Sequence, residues 1–242
     1  MKKGAPGAII RTVTNPLKFK YLKRVAWVVG VWVALGCGHK PADKSAPQPT
    51  APLPTAALAG QRVIVLPFTL VAAEDSLRWE TLLADRRATL ARADSILGAL
   101  LGARAPEITW VPPDELRRAA RRAPGIATDP DQLATAILRA KNLNVVPDPL
   151  RTQLRTIAAL AGGDNGRFAL VPAALIYRRP AARVEGGTVR PVAPGVGIAE
   201  LAIVLADVRL GRVGWRTVAT GAGDDPWSAL TRAVKGLTPG LP

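Results

Sequence analysis

Few side chains in this chain are of types that do covalent or acid–base chemistry, and their placement limits what they could do. There is one cysteine, Cys37, and one histidine, His39. A thiol can act as a nucleophile, a metal ligand, half of a disulfide or an acceptor for lipid. A single cysteine forms no intrachain disulfide and no cysteine-based metal cluster. His39 lies in a Pro-rich stretch that cannot bury a core, so the chain supplies no histidine base for a folded site. Carboxylates at Asp114/Glu115, Asp129/Asp131 and Asp224/Asp225 could be paired acids or hold a cation. Each group stands where a helix is expected to begin, and capping accounts for it. Ser76, Ser95 and Ser228 lack a Gly-x-Ser-x-Gly setting. The Gly-rich run Gly162-Gly163-Asp164-Asn165-Gly166 precedes a strand, whereas a phosphate cradle precedes a helix. Arg117, Arg118, Arg121 and Arg122 make a basic helical stripe that could dock an anion. The plainer reading is a solvated face, favourable toward a helix C-terminus. Trp110 and Trp215 fall in expected strands and read as packing residues. No catalytic, cofactor-binding or metal-binding residue is assigned, and a non-enzyme is expected.

The setting of Cys37 is more specific. Lys18-Phe19-Lys20-Tyr21-Leu22-Lys23-Arg24 is a basic patch, and Val25 to Leu35 is a run of eleven uncharged residues. A basic region, a short apolar core and a small residue before a cut describe a secretory signal peptide over residues 1–36. A bilayer-spanning helix needs roughly 20 apolar residues, so a permanent span is the weaker reading. Ala34-Leu35-Gly36-Cys37 resembles the lipobox of bacterial lipoproteins. Ala34 stands where Leu is usual and Leu35 where a small residue is usual; Gly36 and Cys37 match. The resemblance implies diacylglycerol transfer to the Cys37 thiol, cleavage after Gly36 and anchorage through the new amino terminus. It also implies that Gly38, where Asp signals inner-membrane retention, favours delivery to the outer membrane.

Residues 37–60 are Pro-rich and polar and read as an extended tether. The net charge of +15 would suggest nucleic acid, yet residues 1–36 alone carry seven basic side chains and no acid. Beyond them 22 of the 26 basic residues are Arg, a skew typical of GC-rich coding, and 18 acids offset them. Nucleic acid is therefore not expected as a partner, whereas mild attraction to anionic surfaces is.

The elements that would position any site lie in residues 61–239, read as one α/β domain. Arg62–Phe68 and Glu107–Val111 are strand runs. Between them, Trp79, Leu83, Leu90, Ala93, Leu97 and Leu101 recur at helical spacing, predicting a helix over 75–103. Pro112-Pro113 starts a helix to Arg122. Asp129-Pro130, Asp148-Pro149 and Asp225-Pro226 are repeated helix-start signals. Phe168–Tyr177 is a strand in which Pro172 marks an edge or a bulge, 178–197 is a flexible loop, and Ile198–Asp207 and Val213–Thr220 form a hairpin. The order β-α-β-α-α-α-β-β-β-α predicts a mixed sheet of about five strands with helices packed on it.

Val63-Ile64-Val65-Leu66-Pro67-Phe68 looks like the strand that opens the amino-terminal domain of TolB and of the curli-secretion (CsgG-like) lipoproteins. Leu205-Ala206-Asp207 with Gly211, Val213 and Trp215 resembles that family's hairpin, and Phe168-Ala169-Leu170-Val171 its helix-to-strand step. The resemblance implies a small α/β domain used in envelope assemblies, and it carries no catalytic residue across. The TolB propeller repeats are absent, and residues 178–197 are too short and too Pro/Gly-rich for membrane-crossing hairpins. Regulators of peptidoglycan synthases set the same fold behind an anchor and a Pro-rich tether. The expected function is a lipid-anchored, non-enzymatic adaptor or regulator facing the periplasm and contacting an envelope protein. The rival is a subunit of an oligomeric secretion or surface-assembly complex. A carboxylate hydrolase would need acids gathered in one cleft. Neither the partner nor the oligomeric state is legible in the residues.

Overall fold

The computed structural model describes residues 52–163, 166–181, 183–185, 188–190 and 195–238. The chain divides into two units, residues 1–46 and 47–242, and the described residues all belong to the second. Gly36, Cys37, His39, the signal segment 1–36 and the tether as far as residue 51 lie outside the described residues. Among the described residues no helix is long and apolar enough to cross a membrane.

The chain builds α1 (Thr55–Leu58), β1 (Arg62–Val65), β2 (Val71–Ala73), α2 (Glu80–Leu83), α3 (Arg86–Arg104), β3 (Thr109–Val111) and α4 (Pro113–Arg122). It continues through α5 (Leu150–Gly162), β4 (Gly166–Arg178), β5 (Arg183–Glu185), β6 (Thr188–Arg190), β7 (Gly197–Asp207), β8 (Arg212–Gly223) and α6 (Pro226–Lys235). Six strands form one mixed sheet in the order β3-β1-β4-β7-β8, with β2 also on β4, and β5–β6 is a separate hairpin. β3, β1, β4 and β2 run parallel; β4–β7 and β7–β8 are antiparallel.

Strand periodicity divides the core. In β1, Val63 and Val65 face one side with Leu97 and Leu101 of α3 and Leu230 and Val234 of α6. Ile64 and Leu66 face the other side with Leu116 of α4 and Leu154 and Ile157 of α5. The result is three layers, helix–sheet–helix. Pro172 causes a register shift before Ala174, so it marks a bulge in a central strand rather than an edge. The shift changes the parity of β4: Leu170 before it and Leu175 and Tyr177 after it all reach the α3/α6 face. α6 can lie close on β8 because Gly221 leaves room there; a Cβ at that position would meet the Ala229 and Ala233 backbone.

Several expectations are corrected. The helix expected over 75–103 is broken into a 3-10 turn at Asp75–Leu77, then α2 and α3. Arg78 takes a left-handed conformation (φ 55°) that turns Trp79 into the core. Asp85 starts α3 by accepting from the Ala88 N–H, a cap signal hidden inside a pattern that looked continuous. Asp129-Pro130 opens not an α-helix but two 3-10 turns, Pro130–Gln132 and Thr135–Arg139, with Leu133 and Leu138 buried and Ile137 exposed. Asp148 caps no backbone N–H of α5; its carboxylate accepts from Arg151 and the Thr152 hydroxyl. Residues 178–197, expected as loop, contain β5 and β6. Residues 52–60, assigned to the tether, dock instead: Leu53 and Leu58 are buried, and the Leu53 N–H donates to the Leu237 carbonyl.

Candidate functional site

In an open α/β sheet the chain leaves successive parallel strands on opposite faces, and a crevice opens at their carboxyl ends. Here β1 is flanked by β3 and β4, and α3 and α4 depart to opposite sides. The start of α3 and the face of α4 that carries Asp114, Arg117 and Arg121 line a cleft of about 840 Å³. Arg86, Arg87, Asp114, Arg121 and Asp129 bring charge to it over an apolar lining that includes Leu90 and Ala120.

One side chain holds the two helices together. Arg117 of α4 donates to Asp94 of α3 (2.7 Å), to Asp114 one turn earlier (2.8 Å) and to both oxygens of Asp131 (2.7 and 2.9 Å). Asp94 is only 7% exposed and Arg117 20%. The second Asp94 oxygen accepts the N–H of Phe68, just beyond β1 (2.8 Å). Four chain segments thus converge on one ion cluster. Burial pushes the Asp94 carboxyl up to about 6, against the opposing pull of the Phe68 N–H and Arg117. Arg117 is held above its ordinary value, chiefly by Asp131. Beside the cluster the Thr69 and Thr135 hydroxyls pair at 2.7 Å, and Arg86 donates to the Thr69 carbonyl.

A smaller groove of about 290 Å³ adjoins the cleft and shares Arg86 and Leu90 with it. It runs beside β2, with Trp79, Leu83 and Thr89 in its lining and Glu74, Asp75 and Glu80 as its acids.

The candidates raised by the sequence fall in different places. Of the Arg117–Arg122 stripe, Arg118, Arg121 and Arg122 are exposed, whereas Arg117 turns inward to three carboxylates and is not part of a solvated face. Asp129 caps as expected, by accepting from the Asp131 N–H, but Asp131 and Asp114 serve Arg117. Asp225 caps α6 in a capping box with Ser228. Burial of Asp225 works upward, but the Ser228 hydroxyl and the Ser228 and Trp227 N–H groups outweigh it and hold its carboxyl below the ordinary range. Trp110 is half-buried and donates to the Ala105 carbonyl, and Trp215 is half-buried against the core. Asp94 escaped the sequence reading although a signal was present. It stands in the stripe Leu90–Asp94–Leu97–Leu101, where steps of four and three place a carboxylate among apolar neighbours. Among the described residues no group of His, Cys, Asp and Glu could hold a metal ion.

The arrangement defines a class: a three-layer α/β domain whose open feature is a charged cleft and groove at the carboxyl ends of its parallel strands. No protein-family model matches the sequence, and no curated protein sequence does either. Solved structures similar to it include the C-terminal domain of LpoB from Salmonella enterica, with 16% identity and a TM-score of 0.31 over 68% of this chain and 83% of that one. The PelC dodecamer from Paraburkholderia phytofirmans matches with 13% identity and a TM-score of 0.33, covering 79% and 96%. Lipoprotein GNA1162 from Neisseria meningitidis matches with 14% identity and a TM-score of 0.26, covering 67% and 83%. At these values the likeness assigns neither family nor function.

Proposed function

We propose that this chain is a lipid-anchored envelope protein that works without catalysis, as an adaptor or regulator, by contacting another envelope protein on the periplasmic side. The observation that carries the reading is the pairing of a sole cysteine behind a basic and apolar leader with a domain whose buried carboxylate, Asp94, is already engaged at both oxygens. Asp94 has one oxygen on the Phe68 N–H and the other on Arg117, and Asp131 and Asp114 bind the same guanidinium. A hydrolytic acid pair needs an oxygen free to meet substrate or water; both oxygens of Asp94 and both of Asp131 are bonded instead, and exposed Asp114 stands beside them with one oxygen on Arg117. The resemblance of Val63–Phe68 and of the Leu205–Trp215 hairpin to envelope-assembly domains supports the same reading. Cys37 supplies the address, and the segment from Gly38 supplies reach from the membrane surface.

The test is fractionation joined to cross-linking in intact envelopes. The unaltered protein is expected in membranes, with an adduct to a second envelope protein. Cys37→Ser is expected to free it from membranes or leave the leader uncut, and to abolish the adduct. Membrane retention with unchanged processing in Cys37→Ser overturns the anchor. Ring-shaped particles of this chain alone, extracted in detergent, replace the adaptor with a subunit of an oligomeric assembly.

A further inference from the structure

The strand β2 is an open edge. Its only strand neighbour among the described residues is β4. The Leu70 carbonyl accepts from the Leu175 N–H, and the Glu74 N–H donates to the Tyr177 carbonyl. In a parallel ladder every second residue bonds to the same neighbour. With Ala72 opposite Ile176, the backbone groups of Val71 and Ala73 therefore point away from β4, into the groove of about 290 Å³. A three-residue edge is too short to recruit strands indiscriminately. It offers two N–H and two C=O groups with an apolar lining behind them, which is the physical requirement for a peptide added as a strand.

The charges select the peptide. Glu74, Asp75 and Glu80 line the groove and are exposed; Arg86 is its one base and is turned to the Thr69 carbonyl. This acidic strip lies on a chain whose residues beyond 36 carry 26 basic against 18 acidic side chains. A basic segment meets complementary charge at β2 on a protein with a net basic excess, so electrostatics favour this edge. We propose that β2 takes an extended, Lys- or Arg-bearing segment of a partner protein as an added strand. This rests on the protein-contact reading above and names the chemistry of the contact.

The test uses the full chain in detergent micelles, with hydrogen–deuterium exchange read over residues 70–77. The probe is a short alternating Lys/Val peptide, with an alternating Glu/Val peptide as its counterpart. The Lys/Val peptide is expected to slow exchange across β2, and the Glu/Val peptide to leave it unchanged. Val71→Pro removes an outward N–H without touching the β4 ladder and is expected to abolish the protection. Asp75→Lys with Glu80→Lys, both on exposed side chains, is expected to weaken binding by about tenfold at low salt. If Val71→Pro unfolds the chain, the charge-reversed variant decides alone. Absence of protection, protection elsewhere, equal binding of the Glu/Val peptide, or self-association of the chain through β2 overturns the proposal. Failure here, with Cys37-dependent cross-linking intact, removes the edge and leaves the contact reading standing.

Discussion

Two buried aspartates at opposite ends of the same sheet have opposite electrostatics. Asp94 lies beyond the carboxyl end of β1, and Asp207 lies where β7 passes the amino end of β4. Each is paired to an arginine at 2.7 Å, and each is less than a tenth exposed. Burial works to raise Asp207 as well, but the Leu210 N–H, Arg167 and the Arg209 N–H together hold it below the ordinary carboxyl range. Asp94 has one N–H and one guanidinium shared with two other acids, and burial wins. The difference is one of donors. Asp207 takes two backbone N–H donors from its own turn, where Gly211 closes the β7–β8 hairpin with φ 66°, and adds Arg167 from the neighbouring strand as a cation it shares with no other acid among the described residues. Asp94 ties elements far apart in sequence and leaves a cleft beside them. The amino end is fixed by a turn and one strand-to-strand ion pair; the carboxyl end is fixed by a cluster of four segments that borders the cleft.

The largest effect should come from breaking the tertiary tie. Arg117→Ala leaves Asp94 buried with no cation, and a loss of about 3–5 kcal/mol at neutral pH is expected, measured by urea denaturation. The loss should shrink at pH 5, where Asp94 can take a proton. An equal loss at both pH values would mean that the ion pair does not control this end.

The pH dependence of stability sharpens the contrast. Asp94 has a folded value of about 6, above its ordinary 3.8, so its contribution is full below the ordinary value and is lost as pH rises through about 6. Acidification from pH 7 to pH 5 should therefore stabilise the domain, by about 1 kcal/mol, and Asp94→Asn should flatten that rise. Asp207 has the reverse sign: its contribution is present above the ordinary carboxyl range and is lost as pH falls below it. Asp207→Asn should be less stable at neutral pH and should flatten the acid limb. Stability profiles of the two variants that coincide would contradict the comparison.

A smaller effect serves as control. Asp225→Ala removes a local cap from α6, and a loss of about 1 kcal/mol is expected by thermal or urea unfolding.

The sequence made the locally determined parts legible. β1, the β7–β8 hairpin and the Asp225 cap follow from alternation, a turn glycine and an Asp-Pro step, each confined to a few neighbouring residues. What escaped depended on partners distant in sequence. Asp94 reads as a surface charge until Phe68, 26 residues earlier, and Arg117, 23 residues later, are brought to it. The break at Arg78 needs the core space that Trp79 fills beside Gly197. β2 is three residues long, and only its pairing with β4 makes it a strand. The groove beside it, assembled from β2 and the segment from Glu74 to Leu90, has no sequence pattern of its own.

Site-specific photo-cross-linking in living cells tests the central claim most directly: that a domain held through Cys37 presents its carboxyl-end face to a partner. A photoreactive residue at Leu82 or Arg87, beside the groove and the cleft, is compared with one at Leu210, exposed at the hairpin end. The account predicts an adduct with another envelope protein from Leu82 and Arg87, its loss in Cys37→Ser, and none from Leu210. Adducts that form equally from Leu210, or that persist unchanged without Cys37, would contradict it.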